Sequence, residues 1–189
     1  MNPEEKARVI IDRMFEEAGW KVVDRDKYAP NMTAVAIREG LMVGNREADY
    51  LLFLNGKAVG VLEAKRIETD INSDIVQEQA RLYTRSCPKW CQAWFPNTPL
   101  PLAYVANTRD LMFYDTRKSN SEFEYCKKIH TPKEVKKLLG LEDDYVGLPT
   151  LSPKGLRACQ YEAITELEKS YRNGENRALM VLATGAGKT

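Results

Sequence analysis

Two carboxylates and one amine flank a short apolar stretch in EADYLLFLNGKAVGVLEAKR, residues 47–66. Asp49 precedes the first apolar run, and Glu63 and Lys65 end the second. Placing such charges together in a protein interior is costly unless a cation neutralises the carboxylates. Oxygen ligands favour a hard ion, Mg²⁺ or Mn²⁺, which polarises a phosphoryl oxygen, and a nearby lysine can orient water. The pattern is therefore typical of phosphodiester hydrolysis.

A β-hairpin is the element that must position these groups. Asn55-Gly56 separates the two apolar runs and tolerates the positive φ angles that a two-residue hairpin turn requires. Such a turn pairs Leu54 with Lys57 across the hairpin. We therefore predict two antiparallel strands within residues 47–66.

In that register the two carboxylates converge. Asp49 is expected near Glu63, and because side chains alternate along a strand, Glu63 and Lys65 share one face. A hairpin whose charged ends are simply solvated is the alternative interpretation of the same residues.

A second element follows in INSDIVQEQARLYTRSC, residues 71–87. The apolar spacing predicts a helix that Asn72 or Ser73 caps at its start. Gln79 and Tyr83 are four residues apart and therefore lie on one face of that helix.

Together these residues resemble the PD-(D/E)xK nuclease core, in the recombination-exonuclease branch whose additional helix carries QxxxY. The matching positions are Asp49, the Glu63–Lys65 triplet, Gln79 and Tyr83. The proline that usually precedes the aspartate is absent, and Ala48 stands there. The resemblance implies an α/β fold, with a central mixed sheet flanked by helices.

The resemblance also implies roles for the residues. The metal would be held by Asp49, Glu63 and the backbone carbonyl of Ala64, and Lys65 would position the attacking water. The QxxxY residues would contact DNA or support the site. Nucleases of this superfamily often present an acid from the first helix, here Glu16 or Glu17, although a solvated surface position is favoured for both.

The composition limits the possible functions. The 189 residues contain 28 Lys+Arg and 27 Asp+Glu, so a DNA-cleaving domain must concentrate its positive charge locally. We find no apolar run long enough to cross a membrane and no signal-peptide core, which leaves the cytoplasm as the default location.

The cysteines give a weak metal signal. Cys87 and Cys91 resemble half of a zinc site, but no second pair follows and His130 is the single histidine. Reduced, partly buried thiols are the favoured interpretation.

The remaining elements follow from apolar spacing and turn residues. We predict a first helix that starts at Asn2-Pro3 and ends before Gly19, strands at 20–23, 102–107 and 111–114, and a helix at 131–139. The segment 35–43 is compatible with helix or strand. Residues 142–153 are acidic and contain proline, which predicts a linker. An endonuclease domain would span 1–145, and 146–189 would hold the linker and the start of another domain.

A second motif ends the sequence. A helix after Ser152-Pro153 and an apolar strand at 177–182 are predicted to precede ATGAGKT, residues 183–189. In such a loop the backbone N–H groups hold phosphate, the lysine contacts the β- and γ-phosphates, and the final hydroxyl binds Mg²⁺. The residues predicted to bind ATP with Mg²⁺ are Thr184, Gly185, Gly187, Lys188 and Thr189.

This loop resembles motif I of superfamily 2 helicases and translocases, although Leu182 stands where the general phosphate-binding pattern has its first glycine. The upstream Arg157 and Gln160 resemble their Q motif, which contacts adenine. The fold implied is the start of a RecA-like motor domain. Because such a motor needs a further acidic motif and a second lobe, we expect no ATP turnover from residues 1–189 alone.

A nuclease followed by a helicase motor resembles the restriction (motor) subunit of Type I restriction–modification enzymes. That family implies Mg²⁺-dependent cleavage of double-stranded DNA within an ATP-driven complex that contains methyltransferase and specificity subunits. S-adenosylmethionine would act through those partners. Two alternatives are another defence or repair nuclease–helicase, and a non-catalytic DNA-binding or assembly module.

Overall fold

The computed structural model describes residues 3–30, 32–88, 91–95, 97–119, 121–140, 151–172 and 178–187. The helices are α1 (Pro3–Glu17), α2 (Asp74–Thr84), α3 (Pro132–Leu138) and α4 (Ala158–Arg172). The strands are β1 (Lys21–Val23), β2 (Ala34–Met42), β3 (Arg46–Leu54), β4 (Lys57–Ala64), β5 (Leu102–Ala106), β6 (Leu111–Asp115) and β7 (Glu124–Tyr125). A 3-10 helix spans Arg25–Lys27. None of the described helices has the length and apolar character that a bilayer crossing requires.

The strands form one mixed sheet in the order β1-β2-β3-β4-β5-β6-β7. The β1·β2 and β4·β5 pairs are parallel and the others are antiparallel. Helix α2 lies in the connection between β4 and β5, as a parallel pair requires. The chain therefore has the predicted α/β architecture.

Both faces of the central strands are covered. On one face α2 contributes Val76 and Ala80 to a buried cluster with Leu51 and Val61. On the other, the rings of Phe15 in α1 and Tyr50 in β3 lie 5.0 Å apart. This double burial explains why β3 and β4 have nearly continuous apolar runs rather than alternating ones.

Three of the predicted elements can be compared with the structure. The ambiguous segment at 35–43 is strand, because it pairs with both β1 and β3. Ser73 occupies the N-cap position of α2, but its side chain makes no capping hydrogen bond. The helix at 131–139 is confirmed, and Thr131 and Glu134 form a reciprocal capping box at its start.

The chain divides into two compact units, Met1–Val135 and Lys136–Thr189. The second contains α4 and part of the glycine-rich loop. The predicted strand at 177–182 is wrong for its described residues, since 178–182 have no strand structure. Leu179 and Val181 are exposed by 90% and 82%, and a strand needs a paired neighbour to be stable. The predicted boundary at 145 lies outside the described residues and stays a prediction.

Candidate active site

The turn of the β3–β4 hairpin has the predicted geometry. Asn55 and Gly56 both have positive φ, 50° and 76°, and Leu54 pairs with Lys57. A Cβ added at Gly56 would lie 2.7 Å from the carbonyl oxygen of Pro30, so the turn requires glycine there for space as well as for conformation.

A β-bulge then shifts the strand register. Phe53 pairs with Ala58, but Leu52 pairs with Gly60, so one extra residue, Val59, is inserted into β4. Tyr50 consequently pairs with Leu62. Continuing this register by one residue sets Asp49 directly opposite Glu63, one position away from the register expected without the bulge.

Asp49 is fixed by the backbone of the neighbouring strand. Its Oδ2 accepts a hydrogen bond of 2.7 Å from the backbone N–H of Ala64. Burial raises the pKa of Asp49, and this hydrogen bond and the charge of Lys65 oppose the shift. The carboxylate is therefore held in one place at the end of the hairpin.

Glu63 is the more deeply buried carboxylate, with only 4% of the residue exposed. Its Oε1 accepts a 2.7 Å hydrogen bond from Nζ of Lys65, whereas its buried Oε2 has no hydrogen-bond partner among the described residues. Burial, and then the charge of Asp49, raises the pKa of Glu63 to about 7. A buried oxygen without a donor is where a cation would be accommodated.

Lys65 joins the hairpin to α2. Besides Glu63, its Nζ donates to Oε1 of Gln79 at 2.9 Å. The Nε2 of Gln79 then donates to the hydroxyl of Tyr83 at 3.2 Å. The structure thus brings Glu63, Lys65, Gln79 and Tyr83 into one hydrogen-bonded chain, with Asp49 on the adjacent strand.

The neighbouring strand β5 supports this arrangement from the other side. The backbone N–H of Lys65 donates to the carbonyl of Ala106 at 2.7 Å, and Glu63 pairs with Val105. A Cβ added at Gly60 would lie 2.6 Å from the carbonyl oxygen of Leu102. The close approach of β4 and β5 therefore depends on glycine at this position.

A cleft of about 480 Å³ opens beside these groups. It is lined by Ala7, Arg8, Asp49, Tyr50, Ala64, Lys65, Arg66 and Thr69. Among the described lining residues, α1 thus contributes Ala7 and Arg8 to the cleft and no acid. Glu17 lies beside Met14 and Lys127 in a separate depression, and Glu16 is exposed.

The donor set suits a hard divalent ion. Asp49 and Glu63 offer carboxylate oxygens from adjacent strands, and the Oε2 of Glu63 has no hydrogen-bond partner among the described residues. No group of three or more His, Cys, Asp or Glu side chains among the described residues could hold a metal ion. A metal here would therefore need other oxygens, of which the Ala64 carbonyl is the predicted one.

Two residues near the carboxylates, Glu39 and Arg8, were not predicted from the sequence. Glu39 in β2 lies opposite Asp49 in register, because Arg38 pairs with Tyr50 and Gly40 with Ala48. Glu39 also has a positive φ of 52° within the strand, and it forms an ion pair with Arg8. Arg8 and Glu39 come together because α1 packs on the sheet, and no local sequence pattern predicts that packing.

The second motif is only partly described. Arg157 donates to the carbonyl of Gly185, and Nε2 of Gln160 donates to the carbonyls of Ala186 and Gly187, at 3.0 and 2.7 Å. The structure therefore brings the predicted Q-motif residues to the glycine-rich loop. Thr184 is exposed, and Lys188 and Thr189 lie outside the described residues.

The cysteine pair does not line the cleft that contains Asp49. Cys87 and Cys91 line another cleft and interact with each other, which lowers the pKa of the Cys87 thiol and raises that of Cys91. Both are free thiols.

Comparison with known proteins identifies two family models. The model described as the second domain of the type I restriction enzyme EcoKI endonuclease subunit matches residues 27–139. The model for the res subunit of type III restriction enzymes matches residues 153–189.

Individual relatives agree with these matches. The type I restriction enzyme EcoKI endonuclease subunit of Escherichia coli (strain K12) is 26% identical over 237 aligned positions, covering 98% of this chain and 20% of that protein. This chain thus spans about a fifth of the length of that relative.

Two solved structures are also similar. A fragment structure assigned to an HsdR subunit of a type I restriction enzyme from Vibrio vulnificus YJ016 has 22% identity and a TM-score of 0.46, covering 100% of this chain and 36% of that one. The type IIG restriction endonuclease BpuSI has 15% identity and a TM-score of 0.42, covering 87% of this chain and 16% of its own.

Proposed function

The chain belongs to the type I restriction endonuclease subunit family, and on that basis we propose that its first 145 residues are a Mg²⁺-dependent nuclease for double-stranded DNA. The observation that supports this most directly is the partly buried hydrogen-bonded chain from Glu63 through Lys65 to Gln79, with an unpartnered Glu63 oxygen on the strand next to Asp49. Burying carboxylates, even partly, costs free energy, so two such groups are not expected at a site without a chemical role.

The proposed ligands of the ion are Asp49, Glu63 and the Ala64 carbonyl. When bound, Mg²⁺ would supply positive charge that polarises the phosphoryl group and acidifies water. Because Glu63 binds a proton more tightly than an ordinary glutamate, a cation must compete with that proton, and binding should strengthen as pH rises.

The protein's own residues then orient the reaction. Lys65 presents an ammonium group at the end of β4, where it can donate to the attacking water and to the anionic phosphate. Gln79 accepts from that ammonium group and so limits its orientations, and Tyr83 in turn accepts from Gln79. We assign Lys65 to catalysis and the two α2 residues to positioning or DNA contact.

Residues 146–189 are proposed to begin an ATP-driven motor that translocates DNA. The match of residues 153–189 to a restriction-enzyme res subunit model and the contacts of Arg157 and Gln160 with the glycine-rich loop support this part. The proposed ligand is ATP with Mg²⁺, held by Thr184, Gly185, Gly187, Lys188 and Thr189. Methyltransferase and specificity subunits are the proposed partners, S-adenosylmethionine acts through them, and the assembly is placed in the cytoplasm.

The test uses the complete subunit assembled with those partners. Asp49→Ala, Glu63→Ala and Lys65→Ala should each reduce DNA cleavage by at least on the order of a hundredfold, while DNA-stimulated ATP hydrolysis persists. Asp26→Ala is the matched control, since Asp26 is an exposed carboxylate on the 3-10 helix. Cleavage at the unaltered rate by any of the three variants would contradict the assignment.

A further inference from the structure

The candidate nuclease cleft has a cationic side chain on the helix side. Arg8 lies in the middle of α1 and lines the same cleft as Asp49 and Lys65. Its side chain is 48% exposed, so the guanidinium remains accessible from solvent. Burial raises the pKa of Asp49, and the positive charge of Arg8 is among the smaller effects that oppose this rise.

The placement of Arg8 is fixed by partly buried contacts of Asp12, one turn further along α1. Asp12 accepts from Nε and Nη2 of Arg38 at 3.2 and 2.9 Å, and from the Tyr50 hydroxyl at 2.8 Å. Arg38 and Tyr50 are paired across β2 and β3, so these contacts hold the helix over those two strands. The position of the Arg8 backbone beside Asp49 is therefore determined by the packing of α1 on the sheet.

Glu39 holds the guanidinium itself. One of its carboxylate oxygens lies 2.9 Å from Nη2 of Arg8, and its side chain is 51% exposed. An ion pair so exposed contributes little to stability, and a guanidinium has further N–H donors that a single such contact does not use. The pair is thus poised to exchange one anion for another.

DNA entering this cleft must overcome the repulsion between its phosphates and the carboxylates of Asp49 and Glu63. The ammonium group of Lys65 is already hydrogen-bonded to Glu63 and Gln79. Arg8 differs, because its partner is half exposed and its planar guanidinium matches phosphate oxygens in a bidentate manner.

We propose that Arg8 binds a backbone phosphate of the DNA in this cleft, and that Glu39 holds its guanidinium in place and competes with that phosphate. The inference rests on the proposed nuclease function and adds a DNA-binding residue to it. It also predicts an opposite effect for the two members of the ion pair, which a purely structural link between α1 and β2 does not.

A second ion pair of the same type provides the control. Arg25 lies 3.1 Å from Glu47, with side chains exposed by 44% and 51%, and it does not line the cleft of Asp49. Arg25 also donates to the carbonyl of Glu39, so its removal tests whether a loosened Glu39 backbone is sufficient to disturb binding.

The experiment measures affinity of the 189-residue chain for a short fluorescent DNA duplex over a range of salt concentrations. Ca²⁺ replaces Mg²⁺ as the hard cation for oxygen ligands. Arg8→Gln should weaken binding by roughly five- to tenfold and reduce the slope of log affinity against log salt by about 0.9, the effect of one lost phosphate contact. Glu39→Gln should strengthen binding by about twofold, and Arg25→Gln should leave the salt slope unchanged.

Each outcome has a separate meaning. Equal affinity of the unaltered chain and Arg8→Gln, or an equal loss in Arg25→Gln, would overturn the role of Arg8 while leaving the nuclease assignment to the cleavage test. If thermal unfolding shows that Arg8→Gln is not folded, Arg8→Lys replaces it in the binding experiment. Arg8→Lys should keep the salt slope but lose part of the affinity, and a salt slope reduced as far as that expected for Arg8→Gln would contradict the inference. No binding by the unaltered chain at any salt concentration would overturn the inference together with the DNA-binding part of the proposed function.

Discussion

The carboxylate site of the first unit and the glycine-rich loop of the second differ in what surrounds them. Glu63 is 4% exposed, and residues of β3, β4, β5 and α2 form the site around it. Leu179 and Val181, which precede the loop, are 90% and 82% exposed. The first site is formed by residues of several strands and a helix, whereas the phosphate-binding motif of the second is one contiguous segment that Arg157 and Gln160 contact.

This difference shows that the clarity of a sequence motif and the organisation of its structure are separate properties. A contiguous loop is easily recognised, but its strand needs hydrogen-bonded neighbours. A dispersed site gives a weaker sequence pattern, yet once the sheet forms its geometry is fixed by the register of several strands.

The largest expected difference between the two units concerns stability. Leu51→Ala should reduce the free energy of unfolding of the first unit by about 2–5 kcal/mol, because Leu51 is fully buried between β2, β4 and the core. Leu179→Ala should change the free energy of unfolding by less than about 0.5 kcal/mol. Urea denaturation followed by circular dichroism provides both values. Similar decreases in the free energy of unfolding for the two variants would contradict the difference between the units.

The next effect concerns Glu63 and pH. Its pKa is raised from 4.5 to about 7, so the folded chain binds this proton more tightly than the unfolded chain does. Stability should therefore decrease as pH rises between those values, by roughly 3 kcal/mol, since each unit of pKa shift corresponds to about 1.4 kcal/mol. Glu63→Gln should remove this loss and be the more stable protein at pH ~8 while failing to cleave DNA.

The control for this measurement is Glu166→Gln, since Glu166 in α4 forms an exposed ion pair with Lys169. That change should alter stability by less than about 0.5 kcal/mol at either pH. Added Mg²⁺ should recover stability of the unaltered chain at high pH if it binds Glu63. A pH profile of Glu63→Gln identical to that of the unaltered chain would refute the assignment of this pH dependence.

The smallest effect is expected at the end of the hydrogen-bonded chain. Tyr83→Phe removes only the hydroxyl that accepts from Gln79, so cleavage by the complete subunit should fall by about two- to fivefold with little change in stability. Gln79→Ala should reduce cleavage more, because Lys65 loses an acceptor. An unchanged rate in both variants would restrict the site to the hairpin.

Much of the arrangement of the candidate site could be predicted because its signals are local. The Asn55-Gly56 turn sets the hairpin, strand alternation places Glu63 and Lys65 on one face, and helical spacing places Gln79 beside Tyr83. These rules need no knowledge of distant residues, and the structure brings these side chains together.

The remaining features depend on long-range packing. The bulge at Val59 lies next to the start of the β4·β5 pairing at Gly60, and the approach of Arg8 to Asp49 follows from how α1 is held over β2. The strand expected before the glycine-rich loop failed for the same reason, since apolar composition alone does not provide a paired neighbour.

The narrow spacing of β4 and β5 at Gly60 extends functional constraint beyond the chemical groups. Any side chain at that position would collide with the Leu102 carbonyl, separate the parallel strands and displace the end of β4 that bears the glutamate and lysine. Natural variation that preserved every ionisable residue could thus still abolish the proposed DNA cleavage through a change at this glycine, and surveys restricted to the acidic and basic side chains would not detect it.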